Sequence, residues 1–220
     1  MSDIGHRSGA DRDDLDRAAR YAASGAEISQ FLGLELGAAV RTHPDARVRS
    51  AALGALVRGT VAGRARTAWR SAAADGTAAV RRRAAELAPA VRPVPVIGVL
   101  GLVADDDPLV AETAAWALGE VAWTGRTRAR VVRVLAGAAR SHPDPLVRES
   151  AVAALGAVGD ARGLPAILDA CGDRPPIRRR AVLALAPFDG PDVDAALAAA
   201  LTDPDWQVRQ AAEDLTDQSR

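Results

Sequence analysis

The sequence contains no lysine and no asparagine, a single cysteine, and only 3% aromatic residues among 220. One cysteine, Cys171, excludes an internal disulfide and a multi-cysteine metal site, and it suits a reducing compartment. No apolar run approaches the ~20 residues of a membrane-spanning helix, and residues 1–20 are polar and charged, without the apolar stretch of a secretion signal. A cytoplasmic protein with no membrane contact is therefore expected. Arginine supplies all 28 basic residues against 28 acidic ones, so the formal charge is zero and any attraction to a charged partner has to be local. With aromatics scarce, alanine carries much of the 49% apolar content. Small side chains let helix axes approach toward the lower end of the ~8–10 Å range, which favours a tightly stacked helical body. Alternating apolar and polar runs of the strand type are missing as well.

What the chain does have is internal repetition. Six segments share one template: HPDARVRSAALGAL from His43, DGTAAVRRRAAELA from Asp75, DDDPLVAETAAWALG from Asp105, HPDPLVRESAVAALG from His142, GDRPPIRRRAVLALA from Gly172 and DPDWQVRQAAEDL from Asp203. Their branched anchors, Val48, Val80, Val110, Val147, Ile177 and Val208, are separated by 32, 30, 37, 30 and 31 residues. A sustained period of this length marks a stack of supersecondary units. Counting each anchor as zero, positions +4, +7 and +8 are Ala52, Ala55 and Leu56; Ala114, Ala117 and Leu118; Ala151, Ala154 and Leu155; and Ala181, Ala184 and Leu185. This spacing makes one apolar helix face that needs a neighbour to cover it. Three residues before the anchor stand Asp45, Asp107, Asp144 and Asp205, placed to cap the free N–H groups of a first helical turn, with Pro108 and Pro145 at the following position. Partner helices are expected over Glu27–Val40, Ala65–Ala73, Val94–Val103, Thr127–Ala139, Leu164–Ala170 and Val193–Leu201. The fold class predicted is all-α, an α-α superhelix of about six helical hairpins. Residues 1–26 form a polar tail and a capping helix (Arg12–Ala23), 27–215 the repeat domain and 216–220 a C-terminal tail.

The D-P-x-x-V-R-x-x-A-x-x-A-L-G pattern at about 31 residues resembles the short HEAT-like repeats known as PBS-lyase HEAT repeats, over about Glu27 to Leu215. The resemblance implies a ladder between repeats, formed by the Asp of the turn and the Arg after the anchor. Those arginines are Arg49, Arg81, Arg148, Arg178 and Arg209, with Ala111 interrupting the series. Repeats one, four and six carry both partners; two, three and five lack one. The resemblance also implies that the second helix of each pair lines a concave side, so that positions +2 and +6 form a grid there. Read in order, +2 gives Ser50, Arg82, Glu112, Glu149, Arg179 and Gln210, and +6 gives Gly54, Glu86, Trp116, Ala153, Leu183 and Asp214.

An aromatic anchor ringed by charge is what a protein-binding surface shows. The expected function is thus that of a non-enzymatic, monomeric scaffold holding a protein or peptide on Arg82, Glu86, Glu112, Trp116, Glu149, Arg179 and Leu183, with no cofactor and no metal. Trp116 packing between neighbouring repeats is the structural alternative. Of the other tryptophans, Trp69 is expected in the core and Trp206 closing the last repeat, while Trp123 falls in a loop after Val121, where exposure would make it a contact. Arginine crowds the stretch Arg58–Arg92 and recurs at Arg126, Arg128, Arg130, Arg133 and Arg140, which keeps nucleic acid as a rival partner. HEAT-like DNA glycosylases and bilin lyases are the enzyme alternatives, and a maturation factor that presents a client to an enzyme is a further one. Glu112 and Glu120, one turn either side of Trp116, would repel phosphate, and Cys171 stands alone. His43 and His142 occupy equivalent turn positions, where capping explains them better than catalysis.

Overall fold

A computed structural model of the chain describes residues 30–59 and 62–218. The expected capping helix Arg12–Ala23 lies outside the described residues. By internal packing the chain divides into two compact units, the first ending at Leu102 and the second beginning at Val103. The first contains α1 (Gln30–Thr42), α2 (Ala46–Arg58), α3 (Ala62–Ala73), α4 (Ala78–Leu87), a 3-10 turn (Ala88–Ala90) and α5 (Val96–Leu102). The second contains α6 (Pro108–Gly119), α7 (Gly125–Ser141), α8 (Pro145–Val158), a 3-10 turn (Ala161–Gly163), α9 (Leu164–Ala170), α10 (Pro175–Ala184), α11 (Pro191–Ala200) and α12 (Trp206–Gln218). No strand occurs among the described residues.

The helix starts follow from the turn chemistry. Asp45 accepts from the Arg47 N–H at 2.7 Å, Asp107 from Leu109 at 2.9 Å, Asp144 from Leu146 at 2.8 Å and Asp205 from Gln207 at 2.9 Å. Each carboxylate satisfies a donor that a helix leaves open in its first turn. The anchors are all buried, as are the +4, +7 and +8 residues of repeats one, three, four and five. In the first unit α2 packs on α4 and α1 on α3; in the second α6, α8, α10 and α12 form one layer, while α7, α9 and α11 form the other. Within each unit, successive helix pairs thereby cover one another.

The final glycine of the A-L-G template has a packing role. A Cβ at Gly119 would lie 3.0 Å from Ala154 Cα, and one at Gly156 would lie 2.8 Å from Ala184 Cα. Glycine at +9 of one repeat thus meets alanine at +7 of the next, and the two backbones approach because neither residue carries bulk.

The ladder exists, but with a different carboxylate. Arg148 grips Asp173 through Nε (2.8 Å) and Nη2 (3.1 Å), and its Nη1 donates to the His142 carbonyl in its own turn at 3.0 Å. Arg49 does the same with Asp75 (2.7 and 2.8 Å) and the His43 carbonyl. Arg178 repeats it with Asp203 (2.8 and 2.7 Å) and the Asp173 carbonyl. The aspartates three residues before the anchors are not the partners, because their carboxylates are committed to the N–H groups of their own helices. The pairing acids stand one or two residues earlier, in the turn that faces the preceding repeat. Repeat five, expected to lack a partner, carries a full pair, whereas Arg209 of repeat six donates to the Asp203 and Pro204 carbonyls of its own turn. His142 holds the equivalent turn position in repeat four, where the preceding repeat has Ala111 in place of arginine. Its Nδ1 accepts from the Asp144 N–H at 3.1 Å, the local bond that Asp203 makes to the Asp205 N–H.

These pairs are bidentate and mostly shielded from solvent, the arrangement in which a charge-assisted bond is strong. Hydrogen bonds from Arg148 hold the Asp173 carboxyl below its ordinary value against an opposing push from burial, and Arg178 does the same for Asp203. A carboxyl whose folded pKa is depressed adds stability that is complete above its unfolded value of 3.8 and is lost as pH falls through the folded value. Asp173→Asn is expected to lower the unfolding free energy by about 2 kcal/mol at neutral pH and to leave a shallower decline below about pH 4. Urea titrations across that pH range check both.

A groove across three template helices

The second unit carries a trough on the outer face of the layer made by α6, α8 and α10. On α6, Leu109, Glu112 and Trp116 follow one another at intervals of three and four, so they share a helix face. They look across at Leu146, Glu149, Ser150 and Ala153 of α8, with Arg180 of α10 at the edge, around a hollow of about 380 Å³. Ala153 and Arg180 also border a second hollow of about 420 Å³, completed by Gly156, Ala157, Leu183, Ala184, Ala186 and Pro187. Two shared residues make the hollows one continuous groove.

The walls are tied from behind. Ser150 Oγ of α8 donates to the Glu112 carbonyl of α6 at 3.0 Å. Glu149 faces the Arg180 guanidinium at 3.5 Å, so the two charges answer each other on the α8–α10 side. The Thr113 hydroxyl lies 2.7 Å from the Leu109 carbonyl and 3.2 Å from Glu112 Oε2. One hydroxyl has one proton, and the shorter contact takes it.

Of the residues singled out in the sequence, Glu112, Trp116, Glu149 and Leu183 come together along this groove. Arg179 is exposed on α10, but the arginine lining both hollows is its neighbour Arg180. Arg82 and Glu86 are exposed on α4 of the first unit, where Glu86 pairs with Arg83 at 2.7 Å. Counting only +2 and +6 missed Leu109, Leu146 and Arg180. The signal was available: −1 lies three residues before +2, on the same face, and is leucine in repeats three and four alone.

Trp69 is buried, with its indole N–H on the Ala84 carbonyl at 2.6 Å. Trp123 lies in a loop as expected, half-buried, and donates to the Leu118 carbonyl at 2.7 Å, plugging the end of α6. Trp206 does not close its repeat: at two residues before the anchor it points away from the buried stripe and is 64% exposed. Cys171 is mostly covered, and burial pushes its thiol up to about 11, away from thiolate chemistry. The arginine-rich stretches are divided among structural tasks and solvent. Arg128 pairs with Asp160 at 3.1 Å and Arg140 with Asp169 at 2.6 Å, while Arg126, Arg130 and Arg133 are exposed on α7. No helix among the described residues is long and apolar enough to cross a membrane.

Helix pairs repeated at about 31 residues, an arginine–aspartate ladder and a preformed groove define an all-helical repeat protein. Matches to the family model for HEAT repeats cover residues 99–186 and 134–215, together more than half of the chain, and the chain belongs to the HEAT-repeat family. Among solved structures it is similar in fold to YibA of Escherichia coli, with a TM-score of 0.63 at 15% identity over 94% of this chain and 82% of that one. It is also similar to two designed armadillo repeat proteins. One has a TM-score of 0.52 at 12% identity over 94% of this chain and 100% of its own. The other, computationally designed for modular peptide recognition, has a TM-score of 0.53 at 12% identity over 92% of this chain and 98% of its own. No curated protein matches the sequence.

Proposed function

We propose that this protein is a non-catalytic, monomeric, cytoplasmic binding module whose groove across α6, α8 and α10 holds an extended segment of another protein. One observation carries the reading. Seven large apolar side chains are conspicuously exposed among the described residues, and four of them, Leu109, Trp116, Leu146 and Leu183, line this one trough. Scattered apolar exposure is ordinary, but exposure gathered into a groove with polar groups at its edge marks a place where a partner removes it from water. Stacked repeats keep such a surface preorganised, so little affinity is lost to ordering the receptor. That a designed repeat protein of similar fold was made for modular peptide recognition supports the scaffold's suitability. The residues that do the binding here are this chain's own.

The test uses peptides selected from a random 12-residue display library against the full chain. Trp116→Ala is expected to weaken them by about 2 kcal/mol, roughly 30-fold, with helicity and thermal midpoint nearly unchanged. If the variant melts early while its folded fraction binds as before, Trp116 is a core residue and the reading fails. Binding to DNA that falls steeply with salt and disappears when Arg81, Arg82 and Arg83 are neutralised would replace it with a nucleic-acid function.

A further inference from the structure

We propose that the α6 side of the groove accepts a basic side chain of the bound segment, stacked on the Trp116 indole and paired with the Glu112 carboxylate. The neighbouring hollow between α8 and α10 accepts an apolar side chain two or three residues away. This rests on the reading that the groove binds an extended peptide, and it specifies what that peptide must carry.

The two halves of the groove differ in how their charges are answered. The first hollow holds two carboxylates, Glu112 and Glu149, against one guanidinium, Arg180, which faces Glu149 at 3.5 Å. On the α6 side Glu112 is half-buried, lines the hollow beside Leu109 and Leu146, and has no arginine partner among the described residues. Its two neighbouring hydroxyls are committed to main-chain carbonyls, Thr113's to Leu109 and Ser150's to that of Glu112 itself. A peptide filling the hollow takes this carboxylate out of contact with solvent. The removal is unfavourable unless the peptide brings a cation. The same hollow offers a surface that such a cation favours. Trp116, one helical turn beyond Glu112, is 42% exposed, and an indole face attracts guanidinium and ammonium groups. Glu120 stands exposed a further turn along, adding charge of the same sign at the end of α6. An anionic or phosphate-bearing segment meets the opposite conditions and is disfavoured there.

The second hollow is lined by Ala153, Ala157, Leu183 and Pro187, shares Arg180 with the first, and holds no carboxylate, so a further cation is disfavoured there. Its centre lies one helix spacing away, on the order of 9 Å. An extended chain advances about 3.3 Å per residue, so two or three positions bridge the hollows. The ligand pattern is therefore an arginine or lysine followed or preceded, at that interval, by a leucine-like residue.

The experiment selects 12-residue display peptides on the full chain, retains those that lose binding to Trp116→Ala, and measures them as synthetic peptides. The expected consensus has a basic residue two or three positions from an apolar one. Changing that basic residue to glutamine is expected to weaken binding at least tenfold, and Glu112→Gln is expected to remove most of the discrimination. Glu112→Arg is expected to reverse the preference, so that the peptide with glutamate in that position binds better than its parent. Trp116-dependent peptides without the basic residue, or a glutamine change worth less than twofold, would overturn this inference and leave the peptide-binding reading standing. Recovery of no Trp116-dependent peptide would overturn both.

Discussion

Trp69→Ala is expected to lower the unfolding free energy by about 4 kcal/mol, the size seen when a fully buried large aromatic is cut back to alanine. The indole of α3 is 1% exposed and lies against Gly98 of α5, where an added Cβ would stand 2.6 Å from the ring. Its N–H donates to the Ala84 carbonyl of α4, so truncation both opens a cavity and leaves a buried acceptor without its donor. Three helices of the first unit meet at this one side chain. Gly98→Leu alone is expected to be destabilising, because the new side chain enters space the ring occupies. In the Trp69→Ala background the same change fills the vacated volume, and the double variant is expected to be more stable than the sum of the singles by 1 kcal/mol or more. Urea unfolding of the four proteins, with amide exchange read in α3, α4 and α5, checks the cycle. Strict additivity would show that the ring and Gly98 do not share that volume.

Gly156→Val is expected to lower the unfolding free energy by about 3 kcal/mol, at the upper end for forcing bulk into a filled interface. A Cβ there meets the Ala184 backbone at 2.8 Å, and a backbone cannot swing aside as a side-chain tip can. Helix propensity works the other way, since replacing glycine in a helix gains up to about 1 kcal/mol. The balance is settled by position. Gly137 on α7 has nothing within 4 Å of an added Cβ, so Gly137→Ala is expected to stabilise by several tenths of a kcal/mol while Gly156→Val destabilises. Thermal and urea unfolding of both variants test the opposite signs; a stabilising Gly156→Val would mean that α8 and α10 are not in close backbone contact.

The repeat template was readable because it states its physics several times over. Anchor, stripe and cap each recur, and α9 was placed to the residue from the interval between anchors. The ladder was harder to read. Aspartate stands three residues before the anchor in some turns, four or five before it in others and at both places in two, and spacing alone does not say which position turns toward its own helix and which toward the preceding repeat. The groove was half legible. Glu112, Trp116, Glu149 and Leu183 follow from the offsets +2 and +6, but Leu109 and Leu146 at −1 look like ordinary first-turn residues until the neighbouring helix is in place. The difference between Arg179 and Arg180 is a rotation of one residue about a helix axis, which packing decides. Trp206 was misplaced for a related reason: it lies at a helix end, where a shift of one or two residues exchanges cover for solvent.

Ala111 leaves a missing rung whose effect falls on the groove. The seam between α6 and α8 carries no arginine–aspartate brace, and it is held by the Ser150 hydroxyl on the Glu112 carbonyl and by the Gly119–Ala154 contact. The seam between α8 and α10 has both a glycine contact and the full Arg148–Asp173 pair. The seam bearing the aromatic thus rests on close main-chain approach and apolar cover, while its neighbour adds a charge-assisted clamp that loosens once acid protonates Asp173.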